Sequence, residues 1–476
     1  MKLPVRLRNA TSVAVLAVGI LVWIAGVCVE TAAQTSFVDP TAKDESHDYT
    51  DPQAPSSPPR AQTPPAATKP RRMECPYPAN PNRRCSICDG EHYDWDEVLA
   101  SDWTGLRSKM RELGISLTAS YTGALQTNVS GGKHQIWGYA GQLVLGLNVD
   151  LSKLIRTRGL SVYFGGSWGT GDNLSGSLQT LFPVNSLYAP SYYLGQMYLQ
   201  QTLFEDKLTL SGGRLAAANT FATLPIFSNY VNYGINPNLY PLGGNDTTFF
   251  GPPTGTEWGV QAIYSVTPWV QISAGLYNNN PNSANGQNHG TDWTLQQSNK
   301  GALVAAQVSW FPHKFAIDQG RQGMYAVGVV TDNNSFSTLP DGTATSGGYA
   351  GVFVLGQEMV YQPDGPNTKR GLTVWGSFAY NSKPLISPIP IFGGAGASYL
   401  GLMRRRKKDS VSVGWVYGGV SQFVPDTSAE QVLELSYSFA YRKYLAVTPD
   451  FQYIWKPGGH DKPGIAVLGL QVAVTF

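Results

Sequence analysis

Cys75, Cys85, Cys88 and His92 stand close together in the stretch CPYPANPNRRCSICDGEH. Thiolates and an imidazole spaced C-x9-C-x2-C-x3-H could hold a tetrahedral zinc ion. The plainer chemistry is one disulfide and one spare thiol, because a C-x2-C pair alone is a weak metal signal. Metal binding stays the weaker alternative, and no cofactor is expected. Hydrolytic chemistry is not signalled: His134, His289, His313 and His460 fall at loops or turns, and none has a serine and an acid arranged around it. A second set is thinly spread through alternating segments: Arg214, Glu358, Glu434 and Asp450, with Gln452 beside the last. Side chains of both signs facing one another across water would make a constriction that does not strongly select ions.

What could position such groups follows from composition. The 476 residues are only 14% charged, with 52 Gly, 25 Tyr, 12 Trp and a net charge of +2. The basic residues are dispersed apart from one run, so nucleic acid is not an expected partner. Lys2, Arg6 and Arg8 precede an apolar stretch from Val13 to Val29 and small residues at Thr31 and Ala33. This pattern predicts a signal peptide over 1–33, the other reading being an uncleaved anchor. Residues 34–72 are rich in Pro, Ala, Ser and Thr and predict an extended periplasmic linker. The cysteine segment and a short helix occupy 73–114, with Asp102 as cap and Gly114 as stop.

From Ile115 to Phe476 the hydrophobic period becomes two. ISLTASYTGAL sets Ile115, Leu117, Ala119 and Tyr121 against Ser116, Thr118, Ser120 and Thr122. About sixteen such segments follow one another: 115–125, 141–151, 159–169, 193–204, 207–215, 257–266, 270–279, 303–311, 324–331, 348–361, 371–381, 396–403, 410–420, 431–442, 446–455 and 465–476. Short links alternate with long Gly/Asn/Pro-rich ones at 216–256, 278–302 and 331–347. An all-β fold results, a transmembrane antiparallel β-barrel over 115–476 preceded by one short helix. Closure is the physical reason: in hydrocarbon a sheet can span only if it has no free edge. Sixteen strands leave an aqueous channel, with the polar face inward and the apolar face on lipid. A soluble sandwich or propeller would need an apolar inner face as well. Tyr121, Trp168, Tyr277, Trp310, Trp375, Tyr380 and Trp455 lie near strand ends and suit interfacial girdles.

Parity assigns faces. Leu468, Leu470, Val472, Val474 and Phe476 share the lipid side, so Gly469 and Gln471 look inward, and this last strand closes on the one beginning near Ile115. Glu434 opposes Leu433 and Leu435, Asp450 and Gln452 oppose Phe451 and Tyr453, and Glu358 opposes Gln357 and Met359. A charge on the lipid face costs about 2–4 kcal/mol at mid-membrane, so all are expected in the lumen. Strict alternation from Leu208 would turn Arg214 outward, and a bulge at Gly212-Gly213 is expected to return it.

Three stretches, SDWTGLRSKMRELGISLTASYTGALQTNVSGG (101–132), SYLGLMRRRKKDSVSVGWVYGGVS (398–421) and LELSYSFAYRKYLAVTPDFQYIWKPGG (433–459), resemble the carbohydrate-selective porins of the OprB family. The resemblance covers about 93–476 and implies a sixteen-stranded barrel through which sugars diffuse down a gradient into the periplasm of a Gram-negative cell. It implies that the third outer loop, 216–256, folds into the lumen. That loop offers Asn229, Tyr230, Asn232, Tyr233 and Asn236 and scarcely a charge; amides, hydroxyls and aromatic faces suit neutral sugars. It further implies that Phe476 is the signal read by the barrel assembly machinery, and that outer-membrane lipid and lipopolysaccharide surround the wall. The basic run Arg404 to Lys408 departs from the family and is expected in a periplasmic turn, as a solvated turn before a partner site. Other functions open to such a barrel are a general or anion-selective diffusion porin and a component of polysaccharide export.

Overall fold

The computed structural model describes Leu99 and residues 102–476, apart from 156, 188–191, 238, 240–255, 279–288, 292–300, 313–320 and 366–367. The segments expected as signal peptide and linker, and the Cys75, Cys85, Cys88 and His92 cluster, therefore lie outside the described residues.

The sixteen strands are β1 (Ile115–Ser130), β2 (Trp137–Asp150), β3 (Leu160–Gly171), β4 (Tyr192–Leu203), β5 (Leu208–Leu215), β6 (Glu257–Thr267), β7 (Val270–Tyr277), β8 (Leu303–Trp310), β9 (Gly323–Ser337), β10 (Thr345–Tyr361), β11 (Gly371–Asn381), β12 (Ile391–Leu400), β13 (Ser410–Gly419), β14 (Ala429–Arg442), β15 (Leu445–Trp455) and β16 (Ile465–Thr475). Each pairs antiparallel with its neighbours in sequence, and β1 also pairs with β16 from Ser120↔Thr475 to Ser130↔Ala466, so the sheet is a closed barrel. Closure leaves the sheet without a free edge, as a lipid-facing wall requires.

The outer face is the apolar one. Leu145, Leu199, Val327, Val329, Val352, Val354, Leu435, Leu468 and Leu470 are all exposed there. Trp168, Trp310, Tyr380 and Trp455 also stand outside, as girdle residues should. Tyr277 and Trp375 do not: both are buried on the inner face, Tyr277 against Phe221 and Trp375 against Phe227 and Tyr230. The reason is parity, since each sits one residue out of phase with its exposed neighbours.

The inner face is not uniformly polar either. Phe353, Leu355, Val432, Ile454 and Val467 are buried on it beneath the loop ends, packed with Leu174, Phe182, Phe221 and Phe227 from two inward-folded loops. The barrel has an apolar core inside its lumen at the loop end, where fully burying such a side chain is worth about 1.5–3 kcal/mol.

Several boundaries move. Residues 331–337 continue β9, leaving seven residues, 338–344, as the connection to β10 instead of the long loop 331–347 expected. The strand expected at 396–403 runs Ile391–Leu400, because its glycines are packing residues: a Cβ on Gly396 would meet the Trp375 indole at 2.7 Å. Before β1, Trp103–Gly105 forms a 3-10 turn and α1 spans Leu106–Glu112. Asp102 accepts from the Ser108 amide and hydroxyl, both at 2.8 Å, while Gly114 follows the helix at a φ of 86°.

Candidate solute pathway

The sixteen strands together carry nine charged residues, on seven of them: Asp150, Arg214, Glu257, Asp332, Glu358, Glu430, Glu434, Arg442 and Asp450. Their placement decides what the lumen presents to a solute. Glu257, Asp332, Glu430, Glu434 and Asp450 are all buried, so none stands bare in the channel.

The loop after β5 explains the burial of Glu434. It travels along the inner wall as a belt, taking a bond from strand after strand. Ala222 N donates to Gln307 Oε1 on β8 and Ile226 N to Gln357 Oε1 on β10, each at 2.9 Å. Asn229 Nδ2 reaches Ser398 Oγ on β12 at 3.0 Å. The Tyr230 hydroxyl donates toward the carbonyls of Ala397 (3.1 Å) and Val413 (2.9 Å) and accepts from the Trp375 indole at 2.8 Å. The belt ends on β14 and β15: Val231 N and Asn232 N donate to the two oxygens of Glu434 at 2.7 and 2.9 Å, and Asn232 Nδ2 to Gln452 Oε1 at 2.8 Å. Gln452 Nε2 also donates to Asp450 Oδ2 at 2.8 Å. Charge-assisted bonds of this kind are the strong ones, and they fix the loop backbone rather than a ligand.

A second clamp sits four residues earlier on the same face of β14. Glu430 accepts from the amides of Leu181 and Phe182 (both 2.8 Å), in the loop after β3, and from Gly458 N at 2.7 Å. Gln126 and Gln452 both donate to the carbonyl of Val184 in that loop, at 2.9 and 2.7 Å. The two loops meet where Tyr233 N donates to Pro183 O at 2.9 Å. Glycines on the wall make room for them: a Cβ on Gly414 would meet both Tyr230 and Ile235 at 2.7 Å.

Of the expected lining residues, Tyr230, Asn232, Glu434, Asp450 and Gln452 come together, with Tyr233 beside them, as a buried anchor. Asn229 and Asn236 are half-exposed; Asn236 Nδ2 donates to Tyr230 O at 2.7 Å.

Glu358 is a correction. It pairs with Val374 and shares the outer face with the exposed Val352 and Val354, while its neighbour Gln357 points inward to the belt. The penalty for a carboxylate in lipid is avoided because Glu358 sits near the turn end of β10, hydrogen-bonded to the Tyr325 hydroxyl, where that cost falls toward zero.

Arg214 also differs from expectation. No register shift occurs at Gly212-Gly213; both ladders of β5 run through, although Gly213 has a φ of 138°. The bulge lies on the neighbouring pair, between Gly165 and Gly166 of β3 opposite β4. The Arg214 guanidinium is buried, bonded to Thr256 Oγ1 at 3.1 Å, the Tyr193 hydroxyl at 2.6 Å and the Gly290 carbonyl. Arg214 and Glu434 are both buried in bonds to protein and Glu358 lies on the outer face, so the three do not face one another across open lumen.

The turn half of the inner wall is the open part. Thr118, Ser120 and Thr122 on β1, Asn148 on β2, Gln200 on β4 and Gln471 on β16 stand exposed or half-exposed there. These are neutral donors and acceptors, able to exchange water for a hydroxylated solute. Their signal was present in the sequence as the polar partner of each alternation. Glu430 carried no signal beyond its parity with Glu434.

Comparison with known proteins settles the family. Residues 134–476, more than half of the chain, match the model for "Carbohydrate-selective porin, OprB family". The chain belongs to the OprB family of carbohydrate-selective porins. It is similar to Porin B of Pseudomonas aeruginosa, 23% identical over 79% of this chain and 91% of that one. It is equally similar to the putative porin QuiX of Acinetobacter baylyi, 23% identical over 79% and 93%. The high-pH structure of Pseudomonas putida OprB shares the fold, with a TM-score of 0.73 at 22% identity over 80% of this chain and 98% of that one. These porin relatives agree with a channel rather than an enzyme.

Proposed function

We propose that this chain is an outer-membrane porin through which neutral carbohydrates, monosaccharides or small oligosaccharides, diffuse passively into the periplasm. The observation that carries the reading is the neutrality of the path among the described residues: the inner-face carboxylates Glu257, Asp332, Glu430, Glu434 and Asp450 of the strands are buried, Glu430 and Glu434 in holding loop amides, and hydroxyl and amide groups line the turn half. The turn end faces the periplasm and the loop end the outside. Asn229 and Asn236, on the open edge of the belt, meet the solute, while Tyr230, Asn232, Tyr233, Glu434, Asp450 and Gln452 keep that edge in place. Arg214 holds the wall against Gly290. Lipid and lipopolysaccharide cover the outer face. Phe476, whose amide donates to Ala119 O at 2.8 Å and whose carbonyl accepts from Arg107 at 2.9 Å, completes the β1–β16 seam and serves as the assembly signal. Unchanged amounts of heat-modifiable barrel after its deletion would count against that last role. The channel itself is tested in planar bilayers: single-channel current should fall as glucose or maltose is titrated in, and a current indifferent to every sugar would sink the carbohydrate reading.

A further inference from the structure

The two ends of the barrel differ sharply in charge. The connection between β12 and β13, residues 401–409, contains five consecutive cations, Arg404 to Lys408. One of them is internal to the turn. Arg406 grips Asp409 with two bonds of 2.8 Å and stacks over Phe439 at 3.8 Å. Asp409 also accepts from Tyr437 Oη at 2.5 Å and Ala440 N at 3.1 Å. Gly401 N donates to Asp409 O at 2.7 Å, closing the loop at its base. The turn is thus held rigidly, and Arg404, Arg405, Lys407 and Lys408 all stand exposed around it.

The adjacent turns extend the same charge. Exposed Lys369 precedes Arg370, whose Nε donates to Gly401 O at 2.7 Å and joins the β10–β11 turn to this one. On the other side Arg442 and Lys443 are exposed at the β14–β15 turn. Across these three neighbouring turns nine cations (369, 370, 404–408, 442 and 443) face two carboxylates, Asp364 and Asp409, a balance of +7.

Two apolar features lie beside the cations. Leu402 and Met403, in the turn itself, are about half exposed (53% and 50%). Tyr361 and Tyr441 stand exposed on the outer face just above the same turns. Cations edged by exposed apolar groups at the rim of a lipid-facing wall are arranged to meet a charged interface whose other side is hydrocarbon.

We propose that the turns joining β10–β11, β12–β13 and β14–β15 form a binding arc for the phosphate headgroups of anionic phospholipids in the inner leaflet. This rests on the reading of the chain as a membrane-spanning channel with its turn end in the periplasm. Arg404, Arg405 and Lys407 meet the phosphates while Leu402 and Met403 enter the acyl boundary, and Arg406 with Asp409 keeps the turn open for them. A polybasic segment gains from each cation near an anionic surface, and the gain is screened by salt.

The test uses the full chain reconstituted in bilayers of phosphatidylcholine with a minor fraction of phosphatidylglycerol, comparing wild type with R404Q/R405Q/K407Q. The lipid annulus retained on detergent extraction should be enriched several-fold in phosphatidylglycerol for wild type at low salt. The triple variant should lose that enrichment while keeping heat-modifiability and sugar flux, because its side chains lie outside the Arg406–Asp409 clamp. Equal enrichment in both proteins, or none in wild type, overturns the proposal. So does binding to isolated peptidoglycan sacculi that the triple variant abolishes while lipid enrichment persists. Sugar flux measured in the same vesicles keeps failure of this proposal separate from failure of the channel reading.

Discussion

The two halves of the lumen are built by different rules. At the loop end the inner face behaves like a protein interior: Phe182, Phe221, Phe227 and Trp375 are buried, and Glu430 and Glu434 spend their charge on backbone amides. At the turn end the wall is polar instead, with Thr118, Ser120 and Thr122 on β1 and Gln471 on β16 exposed or half-exposed. One alternating wall serves both because a closed sheet fixes only which face a residue takes, whereas the inserted loops decide whether that face is wet. The aperture is therefore set by loops fastened to the wall, and the chemistry of the path by the strands below them.

Removing the Glu434 clamp should blur this difference most. In Glu434→Ala the amides of Val231 and Asn232 lose their acceptors, each orphaned buried group costing about 1–3 kcal/mol. The belt should leave the wall, and single-channel conductance and maltose flux should rise several-fold. An unchanged conductance would mean that the belt is held elsewhere.

Gly414→Val attacks the contact from the wall side. Its Cβ would stand 2.7 Å from Tyr230 and Ile235, and overpacking of this kind costs about 1–3 kcal/mol. A smaller conductance change than that of Glu434→Ala is expected, with lower thermal stability of the heat-modifiable barrel. A fully stable variant with wild-type current would show that Tyr230 does not pack there in the membrane.

Acid should loosen the turn end through Asp409. Burial pushes its carboxyl up, but the Arg406 guanidinium, the Tyr437 hydroxyl and the Ala440 amide together outweigh this and hold its pKa below the ordinary carboxylate value. The stabilisation is then complete above the unfolded pKa and is lost as pH falls through the depressed folded value. Wild-type barrel melting should drop in that acidic window, and Asp409→Asn should remove this part of the drop. The same acid sensitivity in the variant would assign it to other groups.

Least of all is expected from Glu358→Gln, because that side chain lies on the outer face. Sugar flux and ion selectivity should match wild type; altered selectivity would return Glu358 to the lumen.

Much of this architecture was legible in the alternation. Strand number, the outward Leu468 and Leu470 and the inward Glu434, Asp450 and Gln452 follow from period two and the cost of charge in lipid. Glu358 shows where that argument stops: depth matters as well as face, and a carboxylate near the rim beside Tyr325 escapes the penalty. Tyr277 and Trp375 were misplaced because aromatics near strand ends serve girdle and core alike, and only register separates the two. The belt's anchors depend on contacts between residues some two hundred positions apart, such as Asn232 with Gln452, which no local pattern encodes. Glu430 was missed for the same reason.

Swelling of wild-type proteoliposomes in a neutral hexose and in an organic dianion of similar size decides whether the wall, which shows no bare carboxylate on its inner face among the described strand residues, preferentially passes neutral solutes. The neutral solute should enter clearly faster, with little effect of added salt on its rate. Equal or faster entry of the dianion would contradict the claim and make the channel a general or anion-selective one.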